Sequence, residues 1–183
     1  LVFIERIGIW GELRSDNLVQ GNNFDNKQEY IEILKENLLP SNNLTKWEDL
    51  YKTINRCNTV LKYAEGVQKF DPNYTEAQML ANKAEATFIA IFDISIYQDI
   101  RDVPLVLEPY KESSQELKVG QTAAGVVLDQ IISDLEEVMN DALTTANVTD
   151  NVQKYGCFRR NSIYALLADC YLWRASVNHS VSD

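Results

Sequence analysis

The side chains that most often act as nucleophiles or metal ligands are scarce in this sequence of 183 residues. It contains one histidine, His179, and three cysteines, Cys57, Cys157 and Cys170, with no Cys-x-x-Cys spacing. Histidine-centred catalytic triads and sites with several histidine ligands are therefore excluded, and we predict no metal site and no cofactor. Cys57 and Cys170 fall on the apolar sides of predicted helices and are expected to be buried, whereas Cys157 falls in a predicted loop.

Carboxylates are the abundant reactive groups, with 27 Asp and Glu residues. A glycosidase needs two of them at a set separation, one in surroundings that raise its pKa. The candidates Glu136, Glu137 and Asp16 fall on a solvated helix face and in a turn. The acidic stretches 99–102 and 129–141 lack the alternating pattern of a calcium-binding loop. We therefore expect that the protein is not an enzyme.

The net charge and the composition exclude further classes of protein and fold. With 17 Lys and Arg residues against 27 Asp and Glu, the net charge is −10, and Arg159–Arg160 is the only adjacent basic pair. Such a chain repels a phosphate backbone, so we expect no nucleic-acid partner. Only 7 Gly and 4 Pro occur. This scarcity of helix breakers favours long helices over a turn-rich sandwich or barrel.

Four long helices are predicted from apolar residues that recur every three or four positions. Thr45 and Glu48 form a capping box for the first, and Thr75 or Asn73 can cap the second. The small residues of Ala84–Ala86 allow a neighbouring helix to approach closely. The helices are predicted over residues 45–65, 75–98, 122–143 and 160–177. The aromatic residues at core spacing are predicted to pack between helices: Trp47, Tyr51, Tyr171 and Trp173.

Weaker helical patterns cover residues 1–13 and 26–38, while residues 16–24 are rich in Asn, Gly and Asp and are predicted to be a loop. Asp102–Val106 is predicted to be extended, because a residue before proline avoids the helical region. Long helices in two successive pairs are typical of tetratricopeptide-like stacks, although no strict repeat period appears. We predict an all-α fold of irregular tetratricopeptide-like helical hairpins, an alpha-alpha superhelix.

The chain begins within a pattern of apolar and charged residues and not with a recognisable N-terminal segment. Leu1–Ile4 is apolar but is followed at once by Glu5 and Arg6, which is not the order of a signal peptide, and there is no initiator methionine. No stretch approaches the roughly 20 apolar residues of a membrane-spanning helix. We interpret residues 1–183 as the helical portion of a longer protein.

Six segments of the sequence carry a further pattern: Gly11–Asn17, Trp47–Asn58, Ala84–Ile89, Asp102–Val106, Ile131–Leu135 and Tyr164–Trp173. Together, and in this order, they resemble the SusD/RagB family of surface glycan-binding lipoproteins of Bacteroidetes. Two positions depart from the family pattern: Ala90 stands where the family has Arg, and Arg101 stands where it has Gly.

This resemblance implies a protein without catalysis that is attached to the outer face of the outer membrane through an N-terminal lipidated cysteine. Such proteins cap a TonB-dependent transporter of the SusC type and help to capture oligosaccharides or peptides for import. The resemblance therefore implies a non-catalytic glycan- or nutrient-binding component of a SusCD-type uptake system. The implied partners are a SusC-like transporter and an oligosaccharide or peptide, and the lipid-bearing segment is absent from this chain.

The resemblance also indicates where a ligand would bind. In starch-binding relatives, part of the sugar platform follows the Asp-Asn motif, which is Asp16–Asn17 here. Sugar recognition needs amide or carboxylate groups for the hydroxyls and an aromatic face for the ring. Gln20, Asn22 and Asn23 supply amides, and Phe24 is the only nearby aromatic residue. We predict these four as ligand-binding residues; the alternative is a solvated loop.

A second hypothesis comes from a different class of protein. A generic tetratricopeptide-like adaptor would bind a peptide in a groove lined by Asn and basic side chains. Asn55, Arg56 and Asn58 are the residues that could line such a groove.

Overall fold

The computed structural model describes residues 8–15, 18–21, 27–98, 102–111, 119–144 and 156–178. Contacts divide the chain into two compact units, Leu1–Lys52 and Thr53–Asp183. Helices dominate the described residues of both units, so the predicted all-α class is confirmed. The elements are α1 (Gln28–Leu34), a 3₁₀ helix (Asn43–Thr45), α2 (Glu48–Val67), α3 (Glu76–Gln98), β1 (Val103–Pro104), β2 (Gln121–Thr122), α4 (Ala124–Val138) and α5 (Arg160–Asn178).

The first unit is organised around the buried side chain of Asn42. Its amide nitrogen donates to the carbonyl oxygen of Glu29 at 2.8 Å and to the carboxylate of Glu32 at 3.0 Å. Its amide oxygen accepts from the backbone N–H of Leu44 at 2.8 Å and so caps the 3₁₀ helix. Trp10, also buried, donates its indole N–H to the carbonyl oxygen of Leu44 at 2.7 Å. One asparagine thereby joins α1 to the turn that precedes α2.

The first long helix starts later than predicted, at Glu48. Thr45 belongs to the 3₁₀ helix, and its hydroxyl donates to the carbonyl oxygens of Leu39 and Asn42, both at 2.9 Å. Glu48 pairs with Lys52 at 2.6 Å. The predicted capping box of Thr45 and Glu48 is therefore wrong, because a separate turn capped by Asn42 comes before the helix.

The weaker helical patterns of the first unit are also present. Residues 8–12 are helical, and α1 lies within the predicted segment 26–38 with Ile33 fully buried. Residues 18–21 of the predicted loop have no regular structure and are exposed. Residues 1–7, 16–17 and 22–26 lie outside the described part.

In the second unit, α2 and α3 form an antiparallel pair with small side chains at their contact. Cys57 of α2 packs with Ala86 and Ala90 of α3. Near the other end of the pair, Lys83 binds Glu65 at 3.0 Å. Ala86, one of the small residues that the sequence analysis singled out, lies at this contact.

Side chains satisfy the N-termini of α3 and α4 in two different ways. The hydroxyl of Thr75 accepts from the backbone N–H of Gln78 at 3.3 Å, and the side-chain oxygen of Gln78 accepts from the N–H of Thr75 at 2.9 Å. This is a capping box, so the predicted cap at Thr75 is confirmed. At α4, the carboxylate of Asp102 accepts from the N–H of Ala124 at 3.2 Å. Asp102 thus ties the extended segment to the first turn of α4.

The helix α4 packs against both α3 and α5. It is shorter than predicted because Gln121–Thr122 pairs with Val103–Pro104 in an antiparallel two-stranded sheet. Arg174 binds Asp129 at 3.4 Å, while Arg160 at the opposite end of α5 donates to the carbonyl oxygen of Asn140. These contacts make α4 and α5 antiparallel. The apolar side chains buried on the two helices are Val127, Leu128, Ile131, Ile132, Leu135, Ile163, Leu166, Leu167 and Cys170.

The predicted packing of the aromatic residues holds in part. Trp47 and Tyr51 are half-buried, and their rings stack at 6.5 Å. Tyr171 is also half-buried and donates its hydroxyl to Glu136. Trp173 is 40% exposed, so its predicted place in the core is wrong.

Candidate functional site

The four predicted ligand-binding residues fall in the first unit. The side chain of Gln20 is exposed in the segment 18–21. Asn22, Asn23 and Phe24 lie outside the described residues. The proposed sugar contact of these four residues therefore stays a prediction.

A different polar arrangement lies in the second unit, where residues 105–111, called the strap, run along α2. The side-chain oxygen of Asn55 accepts from the N–H of Tyr110 at 2.6 Å, and its amide nitrogen donates to the carbonyl oxygen of Tyr110 at 3.4 Å. One turn further along α2, Asn58 donates to the carbonyl oxygen of Val106 at 2.8 Å. The two asparagines hold extended backbone as a peptide-binding groove would, but the backbone is the protein's own.

Two further side chains of the same helix face hold the strap. Lys62 pairs with the carboxylate of Glu108. The ammonium group of Lys111 lies 4.0 Å from the centre of the Tyr63 ring, a cation–π contact. Asn55, Asn58 and Lys62 are spaced by three and four positions, which places them on one side of α2, and Tyr63 lies at the edge of that side.

The strap closes one side of a cavity of about 290 Å³ that α2, α3 and α4 also line. This volume is at the lower end of the range for small-molecule sites. The polar lining of α4 includes Gln130, which donates to the carboxylate of Asp134 at 2.7 Å. Burial raises the pKa of Asp134, and the charge of Glu137 adds to this shift. The other walls are mainly aliphatic, so the cavity offers one polar edge and an apolar floor.

The carboxyl group of Asp93 is the most unusual polar group of the second unit. It is 1% exposed, and neither of its oxygens has a hydrogen-bond partner among the described residues. Burial raises its pKa to about 7, so the neutral acid is favoured inside the protein. Burial, followed by the charge of Asp93, raises the pKa of Cys57 to about 11. The buried thiol is therefore protonated and unreactive, as its predicted core position implies.

The carboxylates considered for glycoside hydrolysis do not form an acid–base pair in the described residues. Glu136 is exposed and accepts from the hydroxyl of Tyr171, while Glu137 is exposed at the rim of the cavity. Asp16 lies outside the described part. No group of three His, Cys, Asp or Glu side chains suited to a metal ion occurs within the described ranges. In those same ranges, no helix is both long and apolar enough to cross a membrane.

Sequence reasoning missed how the resembling segments contact one another. Asn58, which ends the second of the six segments, binds Val106, which ends the fourth. Glu85 in the third segment accepts from the N–H of Phe158 at 3.2 Å, and the rings of Phe88 and Phe158 lie 4.4 Å apart. The sequence shows that these polar residues are present, but their order along the chain does not identify the residues that they bind.

No protein-family model and no curated protein matches this chain. Several solved structures do match this chain. Surface glycan-binding protein A from Bacteroides uniformis matches with a TM-score of 0.74 and 24% identity, over 93% of this chain and 36% of its own. A laminarin-binding SusD-like protein matches with a TM-score of 0.71 and 22% identity, over 93% and 35%. A SusD superfamily protein from Bacteroides thetaiotaomicron has a TM-score of 0.70 and 19% identity, over 95% and 43%.

The similarity extends over almost the whole chain, although the chain spans only about two fifths or less of each of these longer proteins. At these identities the similarity establishes the fold. It agrees with the resemblance of the six ordered segments to the SusD/RagB family. The chain therefore has the SusD-like fold, in the helical portion that these proteins share.

Proposed function

We propose that this chain is the helical portion of a non-catalytic glycan- or nutrient-binding component of an outer-membrane uptake system. The observation that carries the proposal is the fold shared over 93% of the chain with a surface glycan-binding protein and a laminarin-binding protein. The bond between Asn58 and Val106 supports it further, because these residues belong to two of the resembling segments and meet in space. The full-length protein would cap a SusC-like TonB-dependent transporter and be attached to the outer membrane through an N-terminal lipid.

The ligand of the proposed protein is an oligosaccharide, with a peptide as the alternative nutrient. Gln20, Asn22, Asn23 and Phe24 are the residues that we propose for ligand contact. Amide groups can bind neighbouring sugar hydroxyls, and an aromatic ring can cover the apolar face of a pyranose. The exposed side chain of Gln20 is compatible with this role.

Binding of soluble laminarin oligosaccharides, malto-oligosaccharides and a control peptide to the full-length protein tests the ligand class by calorimetry. We expect saturable binding of at least one oligosaccharide. The combined variant Gln20→Ala, Asn22→Ala, Asn23→Ala and Phe24→Ala should weaken that binding at least about tenfold, the effect of losing about 1.4 kcal/mol of binding free energy.

The matched control for that variant is Asn43→Ala, a change in an exposed amide of the same unit. It should leave the affinity unchanged. Saturable peptide binding without sugar binding would contradict the oligosaccharide assignment. Equal affinities for the combined variant and the control would exclude residues 20–24 as the contact.

The absence of catalysis is also part of the proposal. Glu136, the candidate acid with a defined contact, is bonded to Tyr171 on an exposed helix surface, where solvent screens its charge. The full-length protein incubated with any oligosaccharide that it binds should release no reducing ends. Sustained release that survives further purification would make it an enzyme.

The adaptor hypothesis receives less support from the contacts of its groove residues. Asn55 and Asn58 are engaged by the backbone of Tyr110 and Val106, so a peptide would have to displace the strap before it could use them. Of the three groove residues named from the sequence, only Arg56 has no described bond to the strap.

A further inference from the structure

The cavity between α2, α3, α4 and the strap is lined by two buried side chains whose oxygen atoms lack a partner among the described residues. Asn58 is 5% exposed and Thr87 is 7% exposed, and both line the cavity. Asn58 uses its amide nitrogen to bind Val106, whereas its side-chain oxygen and the hydroxyl of Thr87 make no hydrogen bond within the described ranges. Because an unpaired buried polar group is costly, these two oxygen atoms indicate that a molecule occupies the cavity.

The walls of the cavity favour a molecule with an aliphatic body. The volume of about 290 Å³ equals that of roughly ten water molecules in the liquid. The walls include Leu61 of α2, Ile91 of α3, Leu105 of the strap and Ile131 of α4, whose side chains cannot hydrogen-bond to water. Ordered water in a cavity needs several polar partners for each molecule. A small aliphatic ligand therefore fits these walls better than a cluster of water.

The polar edge of the cavity carries negative charge that the described residues do not neutralise. Asp134 and Glu137 lie three positions apart on α4, and both line the cavity. Burial raises the pKa of Asp134, and repulsion by Glu137 adds to this shift. Lys83 is the only basic side chain among the described lining residues, and it binds Glu65 at 3.0 Å. The edge therefore attracts a positively charged group.

We propose that this cavity binds a small aliphatic amino alcohol, with the alkyl chain against the walls and the ammonium group at Asp134 and Glu137. An ammonium group has three donors and no acceptor, so it complements the two carboxylates. The hydroxyl group of the ligand can donate to the side-chain oxygen of Asn58 and exchange a hydrogen bond with Thr87. This ligand class is separate from the glycan of the proposed function.

Calorimetry with the full-length protein tests the ligand class with three probes of equal chain length. The first is ω-aminopentanol, which should bind saturably at one site. The corresponding diol lacks the charge and should bind at least about tenfold more weakly, because hydrogen bonds to charged groups are the stronger ones. The corresponding hydroxy acid reverses the charge and should not bind measurably.

Substitutions at the polar edge test the position of the ammonium group. Asp134→Asn keeps the shape of the side chain and should weaken the binding of ω-aminopentanol at least about tenfold. Glu137→Gln, at an exposed residue, should weaken it about threefold. The matched control is Glu136→Gln, which removes a carboxylate from the neighbouring exposed position outside the cavity and should leave the affinity unchanged.

Thr87→Val tests the position of the hydroxyl group without changing any charge. It keeps the shape of the side chain and should weaken the binding of ω-aminopentanol about fivefold. Pentylamine, which has no hydroxyl group, should bind this variant as tightly as the parent protein. Equal losses for the two amines would contradict the contact between the ligand hydroxyl and Thr87. Melting temperatures measured without ligand report whether each variant is folded.

The remaining outcomes would overturn the proposal as a whole. Failure of ω-aminopentanol to bind saturably would leave water as the occupant of the cavity. Equal affinities for the three probes, or equal weakening by Glu137→Gln and Glu136→Gln, would show that the cavity does not select an ammonium group. Glycan binding measured on the same variants keeps the proposed function separate, because loss of amine binding with unchanged glycan binding concerns this cavity alone.

Discussion

Two of the helix contacts of the second unit, α2–α3 and α4–α5, differ in what they bury. Between α2 and α3, the small side chains of Cys57 and Ala90 are in contact, and the buried carboxyl group of Asp93 lacks a hydrogen-bond partner among the described residues. Between α4 and α5, the buried groups are large and aliphatic, with Leu135 and Ile163 at most 1% exposed. The α2–α3 contact thus combines small side chains with a buried polar group that is costly to bury, while the α4–α5 contact is made of large aliphatic side chains.

The difference explains why α2 has so many polar bonds to the strap. Small side chains remove less apolar surface from water than leucine or isoleucine, so a contact made of them gains less from burial. Asn55, Asn58 and Lys62 add bonds from the other side of α2 to residues 105–111. We infer that the α4–α5 contact is stabilised by packing and that the position of α2 depends more on these directed bonds.

The largest expected effect on stability comes from a substitution in the α4–α5 contact. Leu135→Ala should lower the free energy of unfolding by about 3 kcal/mol, because it leaves a cavity at a fully buried position. Urea denaturation measures the change, with Val126→Ala as a control expected to stay within about 0.5 kcal/mol. A cost for Leu135→Ala no greater than that of the control would contradict the assignment of this contact as tightly packed core.

The next effect tests the buried acid of the α2–α3 contact. Burial raises the pKa of Asp93 in the folded protein from its ordinary value of 3.8 to about 7. The folded state therefore binds the proton more tightly, and its stability falls as pH rises from about 4 to about 7 and levels off above that. Asp93→Asn should remove this fall and stabilise the protein at pH 8 by about 2 kcal/mol, since the full shift corresponds to roughly 4 kcal/mol and the buried amide keeps part of the cost.

Urea denaturation at pH 5 and pH 8 measures this difference between Asp93→Asn and the parent protein. Asp141→Asn, a change at an exposed position, serves as the control for the loss of one acidic residue. If Asp93→Asn follows the parent protein at both pH values, the carboxyl group is not buried without a partner.

The bond between α2 and the strap should have an effect of similar size. Asn58→Ala leaves the carbonyl oxygen of Val106 without its donor, at a residue 9% exposed, and should cost about 2 kcal/mol. Asn58→Asp keeps the shape but removes the donor, so it should destabilise to a similar extent. Thr59→Ala, on the exposed side of the helix, should be close to neutral. A neutral Asn58→Ala would show that the strap does not hold α2.

The smallest effect belongs to the N-terminal cap of α3, the helix that contacts both α2 and α4. Thr75→Ala removes the hydroxyl that caps α3 and should cost about 1 kcal/mol, while Thr75→Ser keeps the oxygen and should retain most of the stability. Thermal melting of the two variants measures the difference. Equal losses in both would show that the threonine methyl group, and not the cap, is responsible.

Helix existence could be predicted from the sequence because apolar periodicity is a local property. Both Cys57 and Cys170 are buried as their spacing predicts. Helix starts were less predictable, since Thr45 and Thr75 present similar capping patterns and only Thr75 caps a helix. The difference depends on Asn42, whose bonds to α1 build an intervening turn.

The site was less predictable than the fold for a similar reason. Asn55 and Asn58 have the side chains of a peptide-binding groove, but the chain folds its own residues 105–111 onto them. Such a pairing joins positions about fifty residues apart, and no local pattern specifies it. Trp173 has core spacing but is 40% exposed, because α5 has apolar residues on more than one side and their spacing does not specify which side packs against α4.

Purification of the full-length protein from the outer membrane of its source bacterium, in mild detergent, tests the central claim most directly. Mass spectrometry of the isolated complex should identify a TonB-dependent transporter in near-equal amount, and the complex should be retained on an oligosaccharide resin. A protein recovered free of the membrane fraction, with no transporter and no retention on the resin, would contradict the account.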